Sequence, residues 1–174
     1  MRPLLCAALV LASGLVVGIV APRGGATTST PGDGCLVVQN GLGRITVSLT
    51  RGVVFGRFSQ GTVKIDDPIE GDGSPPSVYG APAVKLTDHR TSYTGDQVRF
   101  RTAGAVKIVV NAQAIQLSAV GKGWAQLFAG DSLGGFVPGF SGKFSVDAAS
   151  FCQDNLLQMP AVATKYPISS PVAG

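Results

Sequence analysis

The chain predicts an all-β fold, an antiparallel β-sandwich or flattened barrel of about eight to ten short strands. Three observations carry that expectation. Apolar and polar residues alternate with the period of two that a half-buried strand requires, glycines recur between the alternating runs, and no segment after the N-terminal stretch sustains the 3.6-residue apolar period of a helix.

The strands follow in order. Ile45, Val47 and Leu49 alternate with Arg44, Thr46 and Ser48, so one face is apolar and the other polar. Val63 and Ile65 alternate with Thr62 and Lys64, and Val98 and Phe100 with Arg99 and Arg101. Val106, Ile108 and Val110 form a further face, then Ile115, Leu117 and Ala119, and Phe144 with Val146 mark a last strand. Glycines at Gly41, Gly43, Gly52, Gly61, Gly104, Gly121, Gly123, Gly130, Gly139 and Gly142 supply backbone freedom for turns or bulges. Residues 66–82, with Pro68, Pro75, Pro76 and Pro82, form a long irregular connection.

The flanks differ from this centre. Residues 1–26 have the composition of a secretory leader: Arg2, then an uncharged apolar stretch, then small residues around a cleavage site at Gly24-Gly25-Ala26. The same stretch is long enough to span a bilayer if uncleaved, so the leader is a signal peptide or an anchor. Residues 27–34 are a polar, flexible linker, residues 35–152 the β domain, and residues 153–174 a proline-containing tail without a core pattern, expected to be disordered. Leader removal takes Cys6 with it. Cys35 and Cys152 then remain, bracketing the strand-rich region, and export makes their pairing as a disulfide chemically reasonable.

Two segments also align without a gap at an offset of 62 residues: residues 50–65 lie over residues 112–127, with Gly61 over Gly123 and Val63 over Ala125. Each reads as strand, tight turn at the glycine, strand. A duplicated hairpin unit burying both copies against a shared core is the inference.

The phrases Arg51-Gly52-Val53-Val54-Phe55-Gly56-Arg57-Phe58 and Ala114-Ile115-Gln116-Leu117-Ser118-Ala119-Val120-Gly121-Lys122-Gly123 resemble those of small exported β-proteins of actinobacteria, a group without an assigned activity. The resemblance spans roughly residues 43–127 and rests on glycine and valine placement, so it implies a fold and a compartment and carries over no functional residue. Cys35 and Cys152 depart from that group.

Gly130-Asp131-Ser132-Leu133 resembles the nucleophile block of one lipase and esterase family, and Gly-Asp-Ser followed by glycines resembles the chymotrypsin-like proteases. A serine nucleophile needs a base held by a third group. The chain has one histidine, His89, so a small secreted hydrolase using Ser132 and His89, with Asp96 in the third role, is the enzymatic alternative. The esterase order fails because no histidine follows the serine. A glycine-rich turn with a polar tip accounts for the same residues, and no catalytic assignment is made.

Asp66, Asp67, Glu70 and Asp72 gather four of the ten acidic residues in one loop. Carboxylates so concentrated suit a hard cation such as Ca²⁺, but the spacing is not that of an EF-hand, and a solvated connection is the simpler reading; no metal or cofactor is assigned. Asp88 does not orient His89 if both are extended, because neighbours on a strand face opposite ways.

Fourteen Lys and Arg against ten Asp and Glu give a formal net charge of +4, of which Arg2 and Arg23 leave with the leader. Arg44, Arg57, Lys64, Arg99, Arg101 and Lys107 fall on polar strand faces and would form a shallow basic surface. Such a surface suits an anionic cell-envelope polymer or a lipid surface. Nucleic acid is disfavoured, because interleaved aromatic residues are missing. The reading that results is an exported, non-enzymatic β-domain with a binding or structural role at or outside the cell surface.

Overall fold

The computed structural model describes residues 33–130, 142–147, 152 and 156–169. The described residues form eight strands: β1 (Gly34–Asp66), β2 (Ser77–Tyr79), β3 (Ala83–Lys85), β4 (Arg90–Ala103), β5 (Val106–Ala129), β6 (Lys143–Asp147), β7 (Leu157–Gln158) and β8 (Thr164–Pro167). The described residues contain no helix, and none is long and apolar enough to cross a membrane. All pairing is antiparallel, within one sheet whose main path runs β2-β4-β1-β5-β8; it is not closed into a barrel.

The number of strands agrees with the sequence pattern, but their lengths do not. Two strands of 33 and 24 residues, β1 and β5, dominate where short ones were expected. Residues 34–49 of β1 lie along one edge of residues 106–121, and residues 51–66 lie along the other, so β1 borders β5 on both sides. The sheet must coil over on itself to make this possible. Its inner face then encloses one core.

Glycine makes the bending possible. Gly34, Gly43, Gly52 and Gly61 occupy every ninth position of β1, and the last three have φ of 133°, 146° and 148°. They are bends inside a continuous strand and not hairpin turns. Gly52 sits opposite Gly121, with φ of 153°, and Gly121 in turn sits opposite Gly34. A Cβ added to Gly52 would overlap the Val120 carbonyl and lie 2.8 Å from Gly121 Cα. Two backbones thus meet where side chains have no room.

Along β1 the buried set also shifts by one residue at three places, as at a bulge. The core-facing apolar residues are Leu36 and Val38, then Ile45, Val47 and Leu49, then Val54 and Phe58, then Val63 and Ile65, with Cys35 and Thr46 buried out of phase with them. The parity switches between Val38 and Gly41, where Asn40 has φ of 50°, and again at Gly52 and at Gly61; Gly43 already lies in the phase of Ile45. Every apolar face read from the alternation is inside: Val98, Phe100, Val106, Ile108, Val110, Ile115, Leu117, Ala119 and Phe144 are all buried, with Val146 packed against them.

The duplicated hairpin is not observed. Residues 50–65 and 112–127 are each uninterrupted strand, Gly61 opposes Gly95 and Ala112, and Gly123 opposes Leu49. Val63 and Ala125 do face the same core, both fully buried, but through strand pairing and not through repetition of a turn. Glycine at the same place in an alternating run supports either structure, and the partner strands decide.

Residues 156–169 also depart from the expected disordered tail. They add β7 and β8 to the sheet, and Met159 and Ile168 enter the core, Ile168 with no exposure at all. Tyr166 packs on Phe144 with ring centroids 5.0 Å apart. The core pattern is too short here, two residues per strand, for a sequence window to register it. In the connection at 66–82, β2 pairs with β4 as a short edge strand.

Cys35 and Cys152 are joined as the sequence pattern anticipated, with Cα atoms 5.8 Å apart across a separation of 117 residues. Cys35 opens β1, whose neighbour β6 ends at Asp147 beside it. Reducing this bond in the intact protein is expected to lower the unfolding free energy by up to about 4.7 kcal/mol, the chain-entropy value for a loop of roughly this length, measured by denaturant titration with and without reductant. Two free thiols in the unreduced protein would contradict the pairing. Gly52→Ala is expected to cost about 2–4 kcal/mol in the same titration, since it combines backbone strain with a backbone clash.

Candidate functional site

Residues with buried neighbours on a strand must themselves point outward. The buried sets Ile45–Val47, Val63–Ile65 and Val106–Ile108–Val110 therefore put Arg44, Thr62, Lys64, Asp66, Lys107, Val109 and Asn111 on the outer face. Strand register brings them side by side. Arg44 opposes Asn111, which opposes Thr62; Lys64 opposes Val109; Lys107 opposes Asp66, which opposes Arg90. Together they line a groove of about 430 Å³.

The charges in this groove are unevenly matched. Asp66 is engaged by Arg90, through both its Nε at 2.9 Å and its Nη2, and by His89 Nε2 at 3.5 Å. Arg44, Lys64 and Lys107 have no ion-pair partner among the described residues. Thr62 Oγ1 shares a hydrogen bond of 2.9 Å with Thr94, leaving hydroxyl and amide groups beside three unneutralised cations. The arrangement can receive an oxyanion through charge and polar side chains together.

The expected basic surface is thus divided into two. Arg44, Lys64 and Lys107 share the groove, whereas Arg57 and Arg99 oppose one another on β1 and β4 and line a second hollow of about 530 Å³ with Phe55 and Gln116. Arg101 lies beside them with its guanidinium 5.1 Å from the centre of the Phe55 ring. Like charges directly opposite in a ladder repel, so this pair is costly unless an anion sits between them. Sequence alternation found all six cations. It missed Arg90, Thr62 and Asn111 as groove residues, because only cross-strand register joins them.

Aromatic residues are closer to the groove than the sequence suggested. Trp124 opposes Ser48, which also opposes Lys107, and Phe128 opposes Arg44. The face of Trp124 is already covered by Lys165, whose Nζ is 4.2 Å from the ring centroid, so it is no open platform for a base.

The other sequence candidates resolve differently. His89 is partly exposed and reaches Asp66 and not Asp88, which contacts Lys85 at 3.3 Å. Ser132 and the whole Gly-Asp-Ser-Leu motif after Gly130 lie outside the described residues, as do the leader and Cys6. In the acidic loop, Asp72 Oδ2 accepts the Ala105 N–H at 2.6 Å and so caps the β4–β5 turn, and Asp66 is committed to Arg90. Among the described residues no three acidic, histidine or cysteine groups are placed to hold a metal ion.

Asp67 is the exception in that loop. Its Oδ1 is buried without a hydrogen-bond partner, and its carboxyl is held above the ordinary 3.8 by burial first and by the negative charges of Asp72, Asp66 and Glu70 after it. A raised carboxyl pKa means that the folded state binds the proton more tightly than the unfolded state. This group's contribution therefore favours folding at low pH and declines as pH rises from about 3.8 through the folded value. Asp67→Asn is expected to remove that decline, visible as a flatter profile of unfolding free energy against pH just above pH 4, with Asp33→Asn as a control that leaves it in place.

No family model, curated protein or solved structure matches the chain.

Proposed function

We propose that the protein is an exported β-domain without catalytic activity that binds an anionic polymer of the cell envelope through the groove of Arg44, Lys64 and Lys107. One observation carries this reading. Three cations converge on a concave outer face where the only described carboxylate, Asp66, is already taken by Arg90. Solubilising charge does not require such convergence, since lysines and arginines scattered over wet sheet faces serve that purpose equally well. Export agrees with the leader composition and with a disulfide at Cys35 and Cys152, which persists in oxidising surroundings.

A groove built from strand faces has a mechanical consequence. Its cations come from two long strands braced on both edges, so their spacing is set by the backbone and little ordering is needed when a ligand arrives. Binding should be electrostatic and weaken with salt, because the groove is open to solvent.

The test is cosedimentation or titration of the purified protein with poly(glycerol phosphate), polygalacturonate and neutral dextran. Binding to one of the charged polymers, and none to dextran, is expected at low salt, with a loss of about tenfold or more in affinity for the triple variant R44A/K64A/K107A at unchanged melting temperature. Equal binding by that variant, or a preference for dextran, would overturn the reading. Binding confined to vesicles of anionic lipid would replace the polymer by a membrane surface.

A further inference from the structure

The groove does not stand alone on the outer face. Thr62 and Asn111 line it and also line a neighbouring hollow of about 300 Å³ with Gln60 and Gln113. Next along β1 comes a hollow of about 270 Å³ with Ser59, Gln97 and Gln116, and the Ser59 hydroxyl donates to the Gln113 carbonyl at 3.1 Å, joining the two. Arg57, Arg99 and Gln116 are then shared between that hollow and the one that holds Phe55. Four hollows run end to end along residues 55–66 of β1.

The chemistry along this track is graded. Cations stand at both ends, Arg44, Lys64 and Lys107 at one and the opposed Arg57 and Arg99 at the other. Between them the lining is amide and hydroxyl: Gln60, Gln113, Gln97 and Ser59. Each amide offers both donors and an acceptor, which is what vicinal sugar hydroxyls match. Asp66, held by Arg90, is the one carboxylate among the described lining residues of all four hollows. The middle is also where the backbone is most unusual. Gln97 and Ala114 have φ of 54° and 50° on the strands either side of Ser59, a conformation that costs an alanine about 1–2 kcal/mol, and the pairing with both strands is interrupted there.

We infer that the track is the binding site of a linear acidic polysaccharide, its carboxylates received at the two cationic ends and its hydroxylated backbone laid across the amides between. This rests on the anionic-polymer reading above and adds the ligand class and the second contact region. From Lys64 to Arg57 is seven residues of strand, about 23 Å if straight and somewhat less with the bend at Gly61. A chain shorter than that reaches one end only. A longer one engages both, and the second contact adds affinity because it is intramolecular.

The decisive experiment titrates the protein with a size series of oligogalacturonates, from dimer to decamer, by calorimetry. Affinity is expected to rise stepwise, by about tenfold or more, once the oligomer spans about 20 Å. In R57A/R99A the step is lost, and in R44A/K64A/K107A affinity falls at every length. Charge alone is controlled by inorganic polyphosphate of matched length, which lacks hydroxyls and should bind more weakly than the oligogalacturonate. A smooth dependence on length, a step that survives R57A/R99A, or tighter binding of polyphosphate would each overturn the inference. Binding of poly(glycerol phosphate) with no binding of any oligogalacturonate would overturn this inference alone and leave the anionic-polymer reading standing.

Discussion

The pairing of β5 with β1 along both of its edges is the constraint from which the remaining structure follows. Residues 106–121 are central, flanked by residues 34–49 and 51–66 of the same partner strand. For one strand to serve both edges it must bend sharply near its middle, and β5 must bend with it. Gly52 and Gly121 stand opposite each other at that place, each without a side chain for the other to meet. Close backbone approach is a use of glycine distinct from a turn, and here it sets the curvature of the whole sheet. The disulfide secures the beginning of the strand so bent, tying Cys35 to the segment that follows β6.

From that geometry the outer surface acquires its character. Apolar residues are withdrawn to the inside of the coil, and the polar phase of each strand is left outside in fixed register. Because the strand changes parity at Asn40, Gly52 and Gly61, the outward residues come from different phases of the sequence in each stretch: Arg44, then Arg57, then Thr62 and Lys64. Cations that look evenly scattered along the chain are thereby gathered into two clusters with a polar reach between them. The acidic loop contributes little to that surface. Asp72 is spent on the β4–β5 turn and Asp66 on Arg90, which leaves Asp67 as a carboxyl whose position costs stability when ionised.

Alternation proved a sound guide to which residues are buried, because the side-chain period of a strand is a local property and survives almost any tertiary arrangement. Ile45, Val47 and Leu49, or Val106, Ile108 and Val110, needed no partner to declare their inner face. Glycine was a weaker guide. Gly61 and Gly123 seemed equivalent from their surroundings, yet one is a bend of positive φ opposite Ala112 and the other lies opposite Leu49. The nine-residue interval of Gly34, Gly43, Gly52 and Gly61 is legible in the sequence, and the buried set changes parity at the last two of these glycines. Met159 and Ile168 were beyond reach, since a few residues pairing with a distant strand leave no periodic trace.

The amino-acid sequence by itself determined an all-β chain, the inward residues of its main strands, the cysteine pair and the six cations of its polar faces. Each follows from composition or from a period of two residues, which acts over the distance of a single strand. Only the tertiary structure decided that two long strands replace many short ones, that residues 156–169 complete the sheet, and that Arg44, Lys64 and Lys107 share a groove while Arg57 meets Arg99. These depend on cross-strand register, and register is set by which backbones can approach one another, here by the opposition of Gly52 and Gly121.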